Sequence, residues 1–288
     1  MFNTPDEAKE YVIAFTNKVK SPHDIDSISN YYRNKIDIEN DDNKKIALQK
    51  KLDEIDTWKD SGEFKQGNYF QGIDELLFEL IEWRAIIYAF QNVDTKKKPF
   101  EKSGFYAQWY LGAVYGIFSI IGKLVSKDSR DISLRMLWKD VSCIMLKEGA
   151  CTQLEFNYIK EAMNEKSGRF TNENSKSFLF RNKLISHNEA RPIVKWDDVD
   201  KDLSLLIRIW SILIAWSSFG ISSSFRTDEQ AFLGLESMLE ISEIKALREQ
   251  RQRYFKKVDT WSKCYAHSGK EDPGKGAFSK ISIREARK

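Results

Sequence analysis

The sequence predicts an all-α protein, and three observations support that class. The 288 residues include only 5 prolines and 14 glycines, so few positions interrupt a helix. Helix start signals recur, as at Thr4, where a proline follows and Glu7 completes a capping box. Apolar residues recur at helical spacing, most clearly over 70–92: Ile73, Leu76, Leu77, Leu80, Ile81 and Ile87. We therefore expect a helical bundle with additional N-terminal and C-terminal helices.

Residues 1–93 are predicted to form an N-terminal helical region. The Thr4 signal opens a helix that runs to about Lys20, and Ser21 with Pro22 starts a second helix at once. A polar loop at 36–43, a charged helix at 44–59, a break at 61–68 and the periodic segment 70–92 follow. No catalytic constellation is visible in this region.

Residues 94–103, DTKKKPFEKS, are the predicted linker before a helical bundle at 104–222. The bundle begins with 20 uncharged residues, 103–122, which include Gly112 and Gly116 at GxxxG spacing. That length is close to a membrane span. Gln108, the glycines and Lys123 favour instead a central helix whose small residues let neighbouring helices approach, so we expect no membrane partner.

The remaining bundle helices have recognisable start signals. Asp128 or Ser129 is the predicted cap of the second bundle helix, and Thr152 with Glu155 forms a capping box for the third. Residues 166–176 are a predicted polar loop. Asp197 and Asp198 start the last bundle helix, which is apolar nearly all round from 203 to 216 and is therefore predicted to be central.

Composition restricts the possible functions. A net charge of +3 is too small for tight nonspecific binding of nucleic acid by the whole chain, so any RNA site must be local. The 3 cysteines and 3 histidines show no zinc-ligand spacing, and we expect no metal and no cofactor. Unpaired cysteines and an acidic N-terminus, unlike a signal peptide, predict a cytoplasmic protein.

Residues 178–188, FLFRNKLISHN, combine an apolar helix face with polar groups inside it. On a regular helix Phe178, Phe180, Leu184 and Ile185 span roughly 160°, and Arg181 falls near the middle of that arc. A charge there is costly unless it is paired or functional. One interpretation is an arginine anchored by a carboxylate from a neighbouring helix. The other is a functional site.

The spacing in RNKLISH, from Arg181 and Asn182 to His187, resembles the motif of the HEPN superfamily. The resemblance covers about residues 100–222 and is nearest to HEPN proteins of the abortive-infection type. It implies an α-helical bundle, a homodimer with a composite site, and metal-independent endoribonuclease activity in phage defence or as a toxin. An antitoxin or inhibitor is a further expected partner, although a tyrosine two residues after the histidine, found in one family variant, is absent here.

The motif residues suit RNA cleavage without a metal. His187 can transfer a proton near neutral pH, and the Arg181 fork can bind two phosphate oxygens. Asn182 is expected to orient a neighbour or the phosphate. Because one histidine cannot easily be both acid and base, a two-fold dimer would supply a second His187. On a regular helix Arg181 and His187 lie about 120° apart, so both must lean into one cleft or the helix must deform or end between them.

The C-terminal part is predicted to be a basic amphipathic helix at 227–264, opened by Thr227 and Gln230, and a disordered tail at 265–288. Its candidate RNA contacts are Arg248, Arg251 and Lys256, interleaved with aromatic residues, and Lys183 of the motif segment is another. The alternative is a helix that packs with its aromatics inward. For the whole chain, the alternative to a nuclease is a noncatalytic helical module that binds RNA or protein.

Overall fold

The prediction of an all-α fold is confirmed over the described part of the chain. The computed structural model describes residues 2, 4–16, 22–65, 72–95, 104–128, 133–186, 193–217 and 228–263, which contain helices and turns but no strand. The helices are α1 (Pro5–Thr16), α2 (Pro22–Ile38), α3 (Asp42–Lys59), α4 (Gly62–Lys65), α5 (Ile73–Gln91), α6 (Gly104–Leu124), α7 (Leu134–Lys147), α8 (Gln153–Ala162), α9 (Lys176–Phe180), a π-helical turn (Arg181–Ser186), α10 (Trp196–Ser217), α11 (Asp228–Ala231) and α12 (Ile241–Lys263).

The chain divides into two compact units, residues 14–75 and residues 1–13 with 76–288. In the first unit α2 packs against α3. Ser29 donates a hydrogen bond to Asp56 (3.3 Å), Lys59 pairs with Asp26, and Arg33 also reaches Asp56. The predicted linker at 94–103 lies mostly outside the described residues and stays a prediction.

Helix α10 is the centre of the larger unit, as the apolar run at 203–216 predicted. Nine of its side chains from Leu203 to Ile214 are buried hydrophobics, and α10 packs against α7, α9 and α12. Trp210 of α10 meets Phe78 of α5 edge-on, with 5.5 Å between the ring centroids. The stripe of α5 is buried as its periodicity predicted.

Buried arginine–carboxylate pairs join α10 and its neighbours. Arg84 of α5 forms a two-pronged pair with Asp200 of α10 (2.8 and 3.0 Å), and the hydroxyl of Tyr254 donates to the same carboxylate (2.8 Å). Burial, and then the charge of Asp200, raise the pKa of Tyr254 well above its ordinary value. Thus α5, which the sequence placed before the linker, is tied to the bundle.

The predicted capping box at Thr4 is confirmed, whereas Thr152 is confirmed only as a cap, because the Glu155 carboxylate pairs with Arg208 instead. One predicted cap is wrong. Thr4 and Glu7 exchange hydrogen bonds (3.2 and 3.4 Å), and Thr152 accepts from the Glu155 backbone N–H (3.1 Å). Helix α7 starts at Leu134 rather than after Asp128 or Ser129. Ser133 is its cap, because the Ser133 hydroxyl accepts from Met136 N–H while donating to the Ser126 carbonyl.

Helix α6 differs from expectation in where it allows close packing. An added Cβ at Gly112 would meet nothing within 4 Å, and one at Gly116 would meet only Trp83 at 4.0 Å. The glycine that allows a close approach is Gly122 instead, where the Arg181 side chain lies against the helix. Over the described parts of the chain, no helix has the length and apolar character required to cross a bilayer.

The prediction of a single C-terminal helix from Thr227 is also wrong, because the structure has two helices there. Four residues form α11, and Gly234 then adopts a left-handed conformation with φ of +88°. Glu243 accepts from the Glu240 N–H at the start of α12 (2.8 Å). The basic segment therefore lies on a helix of 23 residues, Ile241–Lys263.

Candidate functional site

The start of the motif segment is anchored to α10. Ser175 caps α9 by accepting from the Phe178 N–H (3.0 Å), and its hydroxyl donates to Asp202 (2.6 Å). Arg169, in the loop before α9, pairs with the same carboxylate (2.6 Å). Ser175 and Asp202 are fully buried, so this end of the segment is held firmly.

Over its described residues the motif segment is not a regular helix, which corrects the prediction of a regular helix there. From Arg181 to Ser186 the backbone is π-helical. The two residues at the junction both contact α6: Phe180 stacks on Phe118 with 4.4 Å between ring centroids, and Arg181 lies against Gly122. π-helical turns are rare and occur often at functional sites. The helix therefore deforms between Arg181 and His187, and His187 and Asn188 lie outside the described residues.

Arg181 is half-buried and depends on the absence of a side chain at position 122. An added Cβ on Gly122 would lie 2.7 Å from Arg181 Nε and 3.2 Å from its Cδ. Arg181 Nη1 donates to Asn182 Oδ1 (2.8 Å). Asn182 Nδ2 in turn donates to Oδ1 of Asn172, in the loop before α9 (2.7 Å). Arg181, Asn182 and Asn172 thus form a row of three hydrogen-bonded polar side chains.

Among the described residues, Arg181 lacks the carboxylate partner that four other arginines have. Each of those arginines is held by a carboxylate within 2.5–2.8 Å: Arg84 by Asp200, Arg169 by Asp202, Arg208 by Glu155 and Arg251 by Glu82. Among the described residues, Arg181 has no such partner, and its hydrogen bond is to the neutral amide of Asn182. The structural interpretation of Arg181 as a carboxylate-anchored residue is therefore not supported there.

Asn172 was missed from the sequence. It lies 10 residues before Asn182, in a polar loop that contains two further asparagines. Its position in the sequence does not distinguish it from those asparagines, because a loop lacks the periodicity that would predict which side each residue faces. Only the fold brings it to the motif.

The predicted RNA contacts on α12 separate into interior and exposed residues. Arg251 is 2% exposed, pairs with Glu82 and stacks on Phe255 (4.4 Å), so we omit it from the RNA-binding surface. Lys256 is exposed. Arg248 is half-buried, and its Nε has no hydrogen-bond partner although it is buried. Lys183, on the π-helical turn, is half-buried as well.

Neither a metal centre among the described residues nor a known relative identifies the site. The described residues contain no group of three or more histidine, cysteine, aspartate or glutamate side chains that could hold a metal ion. No protein-family model, curated protein or solved structure matches the chain. The chemistry of the side chains around Arg181 therefore carries the functional argument.

Proposed function

We propose that the protein is a metal-independent endoribonuclease of the HEPN type that acts in phage defence or as a toxin. The observation that carries the proposal is the state of Arg181, half-buried beside a deformed helix and without a carboxylate partner in the described residues. An arginine whose charge is not neutralised can bind an anion, and its fork matches two oxygens of a phosphodiester. The RNKLISH spacing supports the choice of RNA.

The proposed reaction is a transesterification that needs no co-reactant. The 2′-oxygen of one nucleotide bonds to the adjacent phosphorus while the bond from phosphorus to the 5′-oxygen breaks. A base removes the 2′-hydroxyl proton, and an acid donates a proton to the leaving 5′-oxygen. His187 suits one of these transfers, and Arg181 stabilises the charge on the phosphoryl oxygens. The products are a 2′,3′-cyclic phosphate and a 5′-hydroxyl.

The second proton transfer is the reason for proposing a homodimer. His23 and His267 are the other two histidines, and both are far from the motif in sequence. A two-fold dimer would bring a second His187 and a second Arg181 to one cleft. An antitoxin or inhibitor that covers this cleft would silence the enzyme.

The test is RNA cleavage in EDTA by the purified wild type, Arg181→Ala and His187→Ala. We expect each variant to lose at least about 100-fold in rate, because a positioned acid–base group or an oxyanion donor typically contributes that much. The products should have 5′-hydroxyl ends and cyclic phosphates at their 3′ ends. Arg33→Ala and His23→Ala remove the same side-chain types outside the motif and should cleave like the wild type.

Other results would reject the proposal. Equal cleavage by the wild type and both motif variants would assign the activity to another site or a contaminant. Complete inactivity of a folded wild type toward total RNA, combined with RNA binding, would favour the noncatalytic RNA-binding module. Retained secondary structure by circular dichroism shows that a variant's loss does not come from unfolding.

A further inference from the structure

We propose that Asn172, Asn182 and Arg181 together form a phosphate-binding cradle, in which Asn172 contacts a backbone phosphate of the RNA directly. The inference rests on the proposed function for the identity of the ligand. It adds Asn172, which the motif does not contain, as a substrate-binding residue.

The orientation of both amides follows from the chemistry of Arg181. A guanidinium can only donate hydrogen bonds, so the Asn182 atom that faces Arg181 Nη1 at 2.8 Å must be the carbonyl oxygen. The other end of the Asn182 amide is then a donor. The Asn172 atom that it meets at 2.7 Å must also be an oxygen. Each amide oxygen in the row is therefore occupied by a donor from its neighbour.

The groups that remain are all donors. Asn172 is exposed, and its amide nitrogen has no hydrogen-bond partner among the described residues. Asn182 keeps one N–H, and Arg181 keeps the guanidinium hydrogens that do not bind Asn182. The row therefore offers several free hydrogen-bond donors, while its amide oxygens are already occupied. Such a row complements a negatively charged ligand that only accepts hydrogen bonds. A phosphodiester group is such a ligand.

The loop that carries Asn172 is held in place on both sides. Asn164 Oδ1 accepts from the N–H groups of Lys166 and Ser167 (2.9 and 3.1 Å), and the Asn174 amide donates to the Ser167 and Gly168 carbonyls (3.0 and 2.9 Å). An added Cβ on Gly168 would lie 2.4 Å from a backbone oxygen, so the backbone is close-packed there. Binding would therefore require little further ordering of the loop.

Two substitutions separate direct phosphate contact from mere support of Asn182. Asn172→Ala removes both the acceptor for Asn182 and the free donor. Asn172→Asp keeps an oxygen for Asn182 but replaces the donor by a negative charge. If Asn172 only positioned Asn182, Asn172→Asp would lose no hydrogen bond to the RNA, and it would bind like the wild type at high salt, where repulsion between the new carboxylate and the phosphates is screened. Glu173→Gln, at the exposed neighbouring residue, is the matched control and should not weaken binding.

The probe is a short single-stranded RNA with 2′-O-methyl groups at every nucleotide, which cannot undergo 2′-oxygen attack. We expect Asn172→Ala to weaken its binding to the full-length protein about tenfold or more, as for loss of a hydrogen bond to a charged group. Asn172→Asp should weaken it at least as much. The slope of log affinity against log salt should stay unchanged in Asn172→Ala, but should fall by about 0.7 in Arg181→Ala, which loses a charged phosphate contact.

The outcomes distinguish this inference from the nuclease proposal. Wild-type affinity in Asn172→Ala or in Asn172→Asp, or no binding by the wild type, overturns the cradle as proposed, whether or not RNA is cleaved in EDTA. Weakened binding by both Asn172 variants, with an inactive wild type, supports the cradle while the nuclease proposal fails. Wild-type melting temperatures in the variants establish that the comparison is between folded proteins.

Discussion

Substitution of Gly122 by alanine tests whether the position of Arg181 matters to activity. The added Cβ would lie 2.7 Å from Arg181 Nε, whereas unstrained contacts between nonbonded heavy atoms begin at about 3.5 Å. Arg181 must therefore move by about 0.8 Å or take another rotamer. A misplacement of about 1 Å can reduce an enzymatic rate about 100-fold. We expect Gly122→Ala to cut the RNA cleavage rate by 10- to 100-fold.

Stability should change little in the same variant. Alanine is favoured over glycine inside a helix by about 0.5–1 kcal/mol, although Gly122 lies in the last turn of α6, where the gain is smaller. The clash is with a flexible side chain rather than with backbone, so its cost in the free energy of unfolding is modest. We expect urea denaturation to give a free energy of unfolding within about 1 kcal/mol of the wild type.

Gly112→Ala is the matched control, because the added methyl group meets nothing within 4 Å on the same helix. It should raise the free energy of unfolding by about 0.5–1 kcal/mol and leave RNA cleavage unchanged. Unaltered cleavage by Gly122→Ala would refute the argument that Arg181 acts from its position against α6. Equal losses in both alanine variants would show that the effect does not come from Arg181.

Three further predictions concern stability. Glu82→Ala removes the carboxylate that faces the buried Arg251 charge and should lower the free energy of unfolding by about 3–5 kcal/mol; a smaller loss in the double variant with Arg251→Met would identify the broken ion pair as the cause. Thr152→Ala removes the cap of α8 and should cost about 1 kcal/mol in chemical denaturation, and no change would contradict the cap. A hydrogen bond from Trp216 (2.8 Å), followed by one from Lys9, lowers the pKa of Glu148 below its ordinary value. The ionised Glu148 carboxylate therefore stabilises the fold above the unfolded pKa of about 4.3, and this stabilisation is lost as pH falls through the lower folded pKa. In Glu148→Gln, the free energy of unfolding should fall less steeply as the pH is lowered through this range.

Much of the helical framework could be predicted because its signals are local. The cap at Thr152 and the apolar stripe of α5 depend on residues within one or two turns of each other. The same locality made Arg181 and Asn182 recognisable as candidates, since they are adjacent and share a motif. The cap proposed for α7 failed because several polar residues near Ser129 compete for that role, and the fold selects Ser133.

The fold alone decided which charged residues are structural. Arg251 and Lys256 look alike on a basic helix, but Arg251 meets Glu82, 169 residues earlier, whereas Lys256 is exposed. Burial depends on such distant partners, which no local pattern encodes.

The sequence by itself determined the all-α class, the helix starts that depend on local caps, and the presence of Arg181 and Asn182 in one segment. Only the tertiary structure placed Gly122 against Arg181, brought Asn172 to Asn182, and left Arg181 without a carboxylate among the described residues. The physical reason is range: capping and helical periodicity act over a few residues. Close packing and charge pairing, in contrast, depend on which distant helices the chain brings together.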